Sequence, residues 1–498
     1  AKVLCRQYQA QPSNLKQDQQ ACRSFWQSLG RQFHLLLTRP NPVCDKLNDI
    51  FYWYAHNAMV HLTIPHGLEQ FSGAAWGVRD VCQGPIELLL ATQHHSEAKT
   101  ILLTVFAQQY EETADWPQWF MFDRFADIQH PESHGDIILW PLKALAMYLE
   151  ASNDFSILDV EVPYTKLPNF GHTATRSTLL HHVQRTIDAI ESRFITGTAL
   201  SAYGAGDWDD TLQPAQSAMR DHLISSWTVA LTFQVFQQLA SALNHAGYKA
   251  DSQRLTQLAK RIKADFNRYL MPDAVVSGFG YRHPDGRVEP IIHPRDTRTK
   301  IHYRLLPMTR SMIAELLSPE QVQNHLRLIE SHLHFPDGVR LMDRPVSYQG
   351  GVRRLFRRAE ESAHFGREIG LQYIHAHIRY IEAMCKIGKD RTAYESTLQI
   401  LPITIQYQAG NAVTRQSNAY FSSSDADVKD RYEAEQRWDA LRAGRVPVKG
   451  GWRIYSSGPG ILINQIVSNF LGLRLSYDDV VLDPVLPKQL DGLHFAFA

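Results

Sequence analysis

The chain has 498 residues, of which 44% are hydrophobic and 10% aromatic, and its 51 Lys+Arg balance 51 Asp+Glu. That length can bury a large core, the composition is far from that of a disordered chain, and a neutral balance argues against a general nucleic-acid binder. No apolar run reaches the roughly 18 residues that a bilayer-crossing helix needs, since even residues 461–475 are interrupted by Asn464, Gln465, Ser468 and Asn469.

Read from the front, the chain opens Ala1-Lys2-Val3 without an initiator Met or a signal pattern, as a fragment would. Cys5, Cys22, Cys44, Cys82 and Cys385 contain no CxxC pair and are odd in number. They read as reduced thiols, hence a soluble, cytoplasmic protein with no membrane and no nucleic acid among its partners. Residues 1–55 read as a helical linker segment, 56–475 as one continuous helical domain, and 476–498 as the start of an incomplete β-region.

Within the helical part, Ala98, Ile101, Leu102 and Val105 recur at helical spacing behind a cap at Ser96. Leu223, Trp227, Leu231, Val235 and Leu239 predict a second helix. Ile374, Ile378, Ile381 and Cys385 predict a third, stopped near Gly388, with Asp390 capping its successor. Such pairs recur without sequence self-similarity, which favours a closed ring of helical hairpins over a solenoid. At the end, 480–486 and 494–498 look like strands. Two strands make no stable sheet alone, so their partners are expected from a missing segment or a separate chain.

Four clusters carry candidate chemistry. Residues 71–85 place Arg79-Asp80 among glycines and Trp76 ahead of a helix starting near Pro85; the pair can grip sugar hydroxyls or be a structural ion pair. Residues 203–214 set Asp207, Asp209 and Asp210 around Trp208 in a loop opened by glycines. An aromatic face beside a partly desolvated carboxylic acid suits glycosidic chemistry, although an acidic turn gives the same letters. Arg353, Arg354, Arg357 and Arg358 precede Glu360-Glu361 and residues 364–377, as a polyanion patch or a solvated helix face. Residues 455–460 lead into a helix as an anion cradle or a plain Ser cap. The 23 histidines lack matching ligands at metal spacing, and P-loop, GxGxxG and GxSxG patterns are absent, so no metal is expected.

Taken together, these clusters resemble the inverting glycoside phosphorylases of glycoside hydrolase family 94, the family of cellobiose and chitobiose phosphorylases. Asp207-Trp208-Asp209-Asp210 is similar to the family's Asp-Trp-Asn-Asp loop, whose last Asp is the general acid, here Asp210. Gly77-Val78-Arg79-Asp80 matches the segment whose Asp holds the −1 sugar. Glu368 stands seven residues before His375, the counterpart of a phosphate-binding His, and Ser457-Gly458 resembles the Thr-Gly pair of the phosphate site. Trp119, Asp136 and Trp140 are similar to the sugar-lining region. Ala74 stands where the family has a phosphate-binding Arg, a charge that Arg79 or an arginine between 353 and 367 would have to replace. The phrasing around Asp210, Met342-Asp343-Arg344 and Gly366-Arg367-Glu368 looks most like the branch acting on β-1,2-glucans, the 1,2-β-oligoglucan phosphorylases.

The resemblance implies a mainly α protein, an (α/α)6 barrel with a partial C-terminal β region. A front β-sandwich would be absent, and the working unit would be a homodimer or an association with that domain. It implies reversible cleavage of β-linked glucooligosaccharides by inorganic phosphate to α-glucose 1-phosphate, without a cofactor. Asp210 would be the acid. Arg79, Asp80, Trp208, Asp207, Glu368, Trp119 and Asp136 would bind sugar, and His375, Ser457 and Gly458 phosphate. Two alternatives stand beside it: a hydrolase or transglycosylase that uses the extra carboxylate Asp209, and a non-catalytic glycan-binding fragment.

Overall fold

The computed structural model describes residues 6, 13–63, 75–347, 350, 353–361, 372–451 and 457–498. The longer helices are α1 (Ser13–Leu29), α2 (Pro42–Thr63), α3 (Gly84–Ala91), α4 (His95–Phe106), α5 (Trp140–Ser152), α6 (Leu179–Ser192), α7 (Ser226–His245), α8 (Lys249–Tyr269), α9 (Leu305–Ile313), α10 (Pro319–Leu328), α11 (Ile374–Lys386), α12 (Asp390–Ile400) and α13 (Gly458–Asn464). Six of them, α3, α5, α7, α9, α11 and α13, form an inner ring in which each packs on the next and α13 closes back on α3. Helices α2, α4, α8 and α12 pack outside their neighbours in the ring, and α6 and α10 complete the alternation in chain order. This is an (α/α)6 barrel.

Inner and outer helices differ as their environments demand. Every residue of α3 and α9 is buried, whereas α8 buries only Leu255, Leu258, Ala259, Ile262 and Phe266, a single stripe. The barrel interior also holds charge. Arg379 pairs with Glu87 at 2.6 Å and Glu382 at 2.7 Å, Lys143 approaches Glu87 at 3.8 Å, and Arg310 donates to Gln234 at 2.9 Å. Buried ions survive there because they are paired.

Several boundaries differ from the sequence reading, each for a physical reason. The helical domain starts at Pro42, not near 56, because α2 buries Ile50, Phe51, Tyr54, Ala55, Ala58 and Leu62 against the ring. Helix α4 has His94 at its cap, and the Ser96 hydroxyl donates instead to Glu97. Leu223 belongs to the strand Leu223–Ser225, after which the Ser225 hydroxyl caps α7 by accepting from the Thr228 N–H. Asp390 is the first residue of α12 rather than its cap.

At the end of the chain, Leu473–Ser476 and Asp479–Leu482 form a hairpin, and Pro484 follows the second strand. Leu493–Ala496 pairs antiparallel with His34–Leu37. The partner strand expected from a missing piece is supplied by the chain's own front, a pairing too distant for local periodicity to reveal.

Candidate active site

The N-terminal ends of the inner helices meet at one mouth of the barrel. Gly84 and Gly460 allow α3 and α13 to touch there: a Cβ on Gly84 would lie 2.2 Å from the Ser457 carbonyl oxygen, and one on Gly460 2.2 Å from the Gly84 oxygen. Gln83, just before α3, meets His375 of α11 at 3.2 Å. Ser225 and Arg304, the caps of α7 and α9, both reach Asp207.

That last contact fixes the acidic loop. Asp207 accepts from the Ser225 hydroxyl at 2.6 Å, the Asp209 N–H at 2.9 Å and Arg304 at 3.3 Å. Asp209 accepts from the Thr211 hydroxyl at 2.6 Å and lies 3.8 Å from Arg304. Both carboxylates are 0% exposed. Burial pulls the Arg304 guanidinium down in pKa, but Asp207 and then Asp209 outweigh it and leave it raised. The Asp210 side chain, by contrast, is 32% exposed. Of three neighbouring carboxylates, one is partly open to solvent and two are sealed within the loop that carries it.

The surroundings of Asp210 are cationic. Its Oδ1 lies 3.6 Å from Arg79 and 3.4 Å from His134 Nδ1, and its Oδ2 lies 3.8 Å from Arg358. Arg358 arrives because Gln213–Ala215 hydrogen-bonds along Leu355–Arg357. One member of the arginine run therefore belongs to the site, while Arg353 pairs with Glu361.

Arg79 sits on the short helix Val78–Val81 and is clamped by Asp136 through Nε at 2.8 Å and Nη2 at 2.7 Å. Burial lowers its pKa, yet Asp136 and Asp210 more than reverse this and raise it. Asp136 is 0% exposed and also accepts from Trp140 at 2.8 Å. Asp136 and Asp207, expected to bind sugar, are thus occupied by protein donors, because a buried carboxylate must take all its hydrogen bonds nearby. They position Arg79 and the acidic loop.

The remaining expected residues divide. Trp208 is nearly buried, its ring 4.8 Å from those of Tyr373 and His375. Trp119 is partly exposed on a short strand that pairs with Ala75–Gly77, directly opposite Gly77, and Asp80 is partly exposed. His375 Nδ1 and Ser457 Oγ are closed to water and, among the described residues, have no hydrogen-bond partner. Burial, reinforced by Arg379, Arg310 and Arg79, holds the His375 pKa well below the ordinary histidine value. Gly458 packs against Tyr420, whose hydroxyl would lie 2.0 Å from a Cβ there. Glu368, Arg367 and Ala74 lie outside the described residues. His134, Gln83, Arg304 and Arg379 escaped the sequence reading, since each has a partner at the site that is distant in the chain. Among the described residues, no three His, Cys, Asp or Glu side chains are grouped to hold a metal ion, and no helix is long and apolar enough to cross a membrane.

The sequence profile of the glycosyl hydrolase 94 superfamily catalytic domain matches residues 41–446. The chain belongs to this superfamily. A 1,2-β-oligoglucan phosphorylase of Listeria innocua is 48% identical over 98% of the chain and 44% of its own length. A cellobionic acid phosphorylase of Neurospora crassa is 26% identical over 61% of the chain and 36% of its length. The cyclic β-(1,2)-glucan synthase NdvB of Rhizobium meliloti is 21% identical over 89% of the chain and 15% of its length. The chain therefore spans less than half of each of these curated relatives. Among solved structures, the family 78 rhamnosidase of Bacillus sp. GL1 superposes with a TM-score of 0.55 at 11% identity, over 89% of this chain and 36% of that one. A bacterial glucoamylase superposes at 0.50 and 11%, over 84% and 55%. These two likenesses concern the barrel fold.

Proposed function

We propose that the protein is an inverting glycoside phosphorylase that cleaves β-1,2-linked glucooligosaccharides with inorganic phosphate to give α-glucose 1-phosphate, reversibly. The carrying observation is the sorting of the acidic loop: the Asp210 side chain is partly exposed beside Arg79 and Arg358, while Asp207 and Asp209 are locked away on Arg304. An inverting hydrolase needs a second free carboxylate to activate water. A phosphorylase needs one acid and a place for an anion, because phosphate is already a nucleophile. The β-1,2 preference is supported by the names of the Listeria and Rhizobium relatives.

Asp210 protonates the leaving glycosidic oxygen as its bond to C1 breaks. Asp80 and Arg79 grip the −1 glucose, with Asp136 holding Arg79 in line, while Trp208 and Trp119 line the sugar path. His375 and Ser457-Gly458 receive phosphate on the far face of the sugar, so that attack inverts the anomeric centre. Arg79 and Arg358, both beside Asp210, supply the charge that Ala74 does not. The reaction uses no cofactor beyond phosphate as co-substrate. We further assign the protein to the cytoplasm, where thiols stay reduced, working as a homodimer or with an additional β-domain. Incubation with β-1,2-, β-1,3- and β-1,4-glucose disaccharides and phosphate tests the assignment. Glucose 1-phosphate from the β-1,2 substrate is expected; release from the β-1,4 substrate alone would overturn the linkage.

A further inference from the structure

The orientation of one amide determines what His375 offers the incoming anion. Gln83 is 1% exposed and its two ends face groups that cannot change role. Its Nε2 points at the Arg79 carbonyl oxygen at 3.3 Å, an obligate acceptor. Its Oε1 receives Arg379 Nη2 at 3.1 Å, an obligate donor. Arg379 in turn is held by Glu87 at 2.6 and 3.1 Å and by Glu382 at 2.7 Å, and Asn464 donates to Glu87 at 3.1 Å. The amide is therefore fixed with its oxygen towards His375 Nε2, 3.2 Å away, and that nitrogen must carry the proton.

The other ring nitrogen follows. A second proton on His375 would place an imidazolium in a closed site near Arg379, Arg310 and Arg79, and burial with those three charges holds the ring neutral. Nδ1 is then a bare lone pair, buried and without a partner among the described residues, as is the Ser457 hydroxyl. A buried acceptor left unsatisfied costs roughly as much as a lost hydrogen bond, so this atom awaits a donor.

We propose, resting on the phosphorylase reading, that His375 Nδ1 accepts a hydrogen bond from the P–OH of hydrogen phosphate, so that the site selects an oxyanion carrying a hydroxyl over a fully ionised one of equal charge. Gln83, fixed by Arg379 and Glu87, is the positioning residue for this choice. In the reaction, a different, unprotonated oxygen of hydrogen phosphate bonds to C1. The C1–O bond to the leaving glucan breaks with its electron pair on that oxygen, which takes the Asp210 proton. The P–OH proton stays on the phosphate against Nδ1, the product leaves as the glucose 1-phosphate monoanion, and Asp210 regains a proton from solvent.

Hydrogen phosphate and sulfate have the same charge and shape at neutral pH and differ by this hydroxyl, and arsenate resembles phosphate. In the wild-type protein, sulfate is expected to compete with phosphate with an inhibition constant at least about tenfold above the phosphate KM, the loss of one charge-assisted hydrogen bond, while arsenate substitutes for phosphate. The variant Gln83→Glu offers a carboxylate to Nε2, favours the doubly protonated ring and should narrow the sulfate gap. Nitrogen-15 NMR of histidine-labelled wild-type protein with phosphate bound should show His375 protonated at Nε2 alone, whatever the fate of the variant. A proton on Nδ1, or sulfate binding as tightly as phosphate, would overturn the inference. An unchanged phosphate KM in His375→Ala would place phosphate elsewhere and remove the site reading as well, whereas a raised KM with Nδ1 protonated would sink the selection mechanism alone.

Discussion

Arg79 bridges two carboxylates of opposite fate: Asp136, gripped at 2.7 Å and sealed from water, and Asp210, whose Oδ1 lies 3.6 Å away on a side chain that is partly exposed. One guanidinium thereby links the wall of the site to the proposed acid.

Replacing Asp136 by Asn leaves Arg79 and Trp140 with one good acceptor between them and puts an amide NH2 against a donor. Breaking such a buried pair costs about 3–5 kcal/mol. Urea unfolding should show a loss of that order, and kcat/KM should fall with it as Arg79 loses its position.

Asp210→Asn removes the transferable proton while keeping shape. Phosphorolysis should drop by about 10²–10⁴-fold, the usual contribution of a general acid, with the unfolding midpoint little changed. A substrate whose leaving group needs no proton, such as an activated aryl glucoside, should recover much of the rate.

Asp209→Asn separates the phosphorylase from the hydrolase reading. Asp209 is 0% exposed and bonded to Thr211. The variant should keep phosphorolysis within about tenfold, with a stability loss of about 1–3 kcal/mol from imperfect pairing near Arg304. A selective loss of phosphate-independent glucose release would instead identify Asp209 as a water-activating base.

His377 gives a pH signature in stability. Its Nε2 donates to the Ser396 carbonyl at 2.9 Å and its Nδ1 accepts from the Val339 N–H at 3.2 Å, and burial, outweighing the Ser396 bond, lowers its pKa to about 3. Because the folded value lies below the unfolded one, the unfolded chain binds the extra proton first. Stability is whole above about pH 6.5 and declines as pH falls towards 3, by roughly 2–3 kcal/mol from this group at pH 4.5. His377→Gln should flatten the unfolding free energy against pH in that window by one proton's worth.

The sequence carried the barrel through helices whose apolar stripes are local, such as Ile374, Ile378 and Ile381 of α11, and the acidic loop through adjacent letters. What it concealed was division of labour. Asp207, Asp209 and Asp210 look alike in a row, and only Arg304 and Ser225, distant in the chain, decide which of them is buried. Asp136 reads as a sugar ligand until Arg79 and Trp140 are seen to fill it. The strand Leu493–Ala496 finds its partner at His34–Leu37, and no local pattern announces a pairing across that separation.

The most direct measurement is the product of β-1,2-glucooligosaccharide turnover with and without inorganic phosphate, followed by NMR of the anomeric centre. With phosphate, α-glucose 1-phosphate and a glucan shorter by one unit are expected, and without it no cleavage. Free glucose released at the same rate in both conditions, or a β-configured phosphate ester, would contradict it.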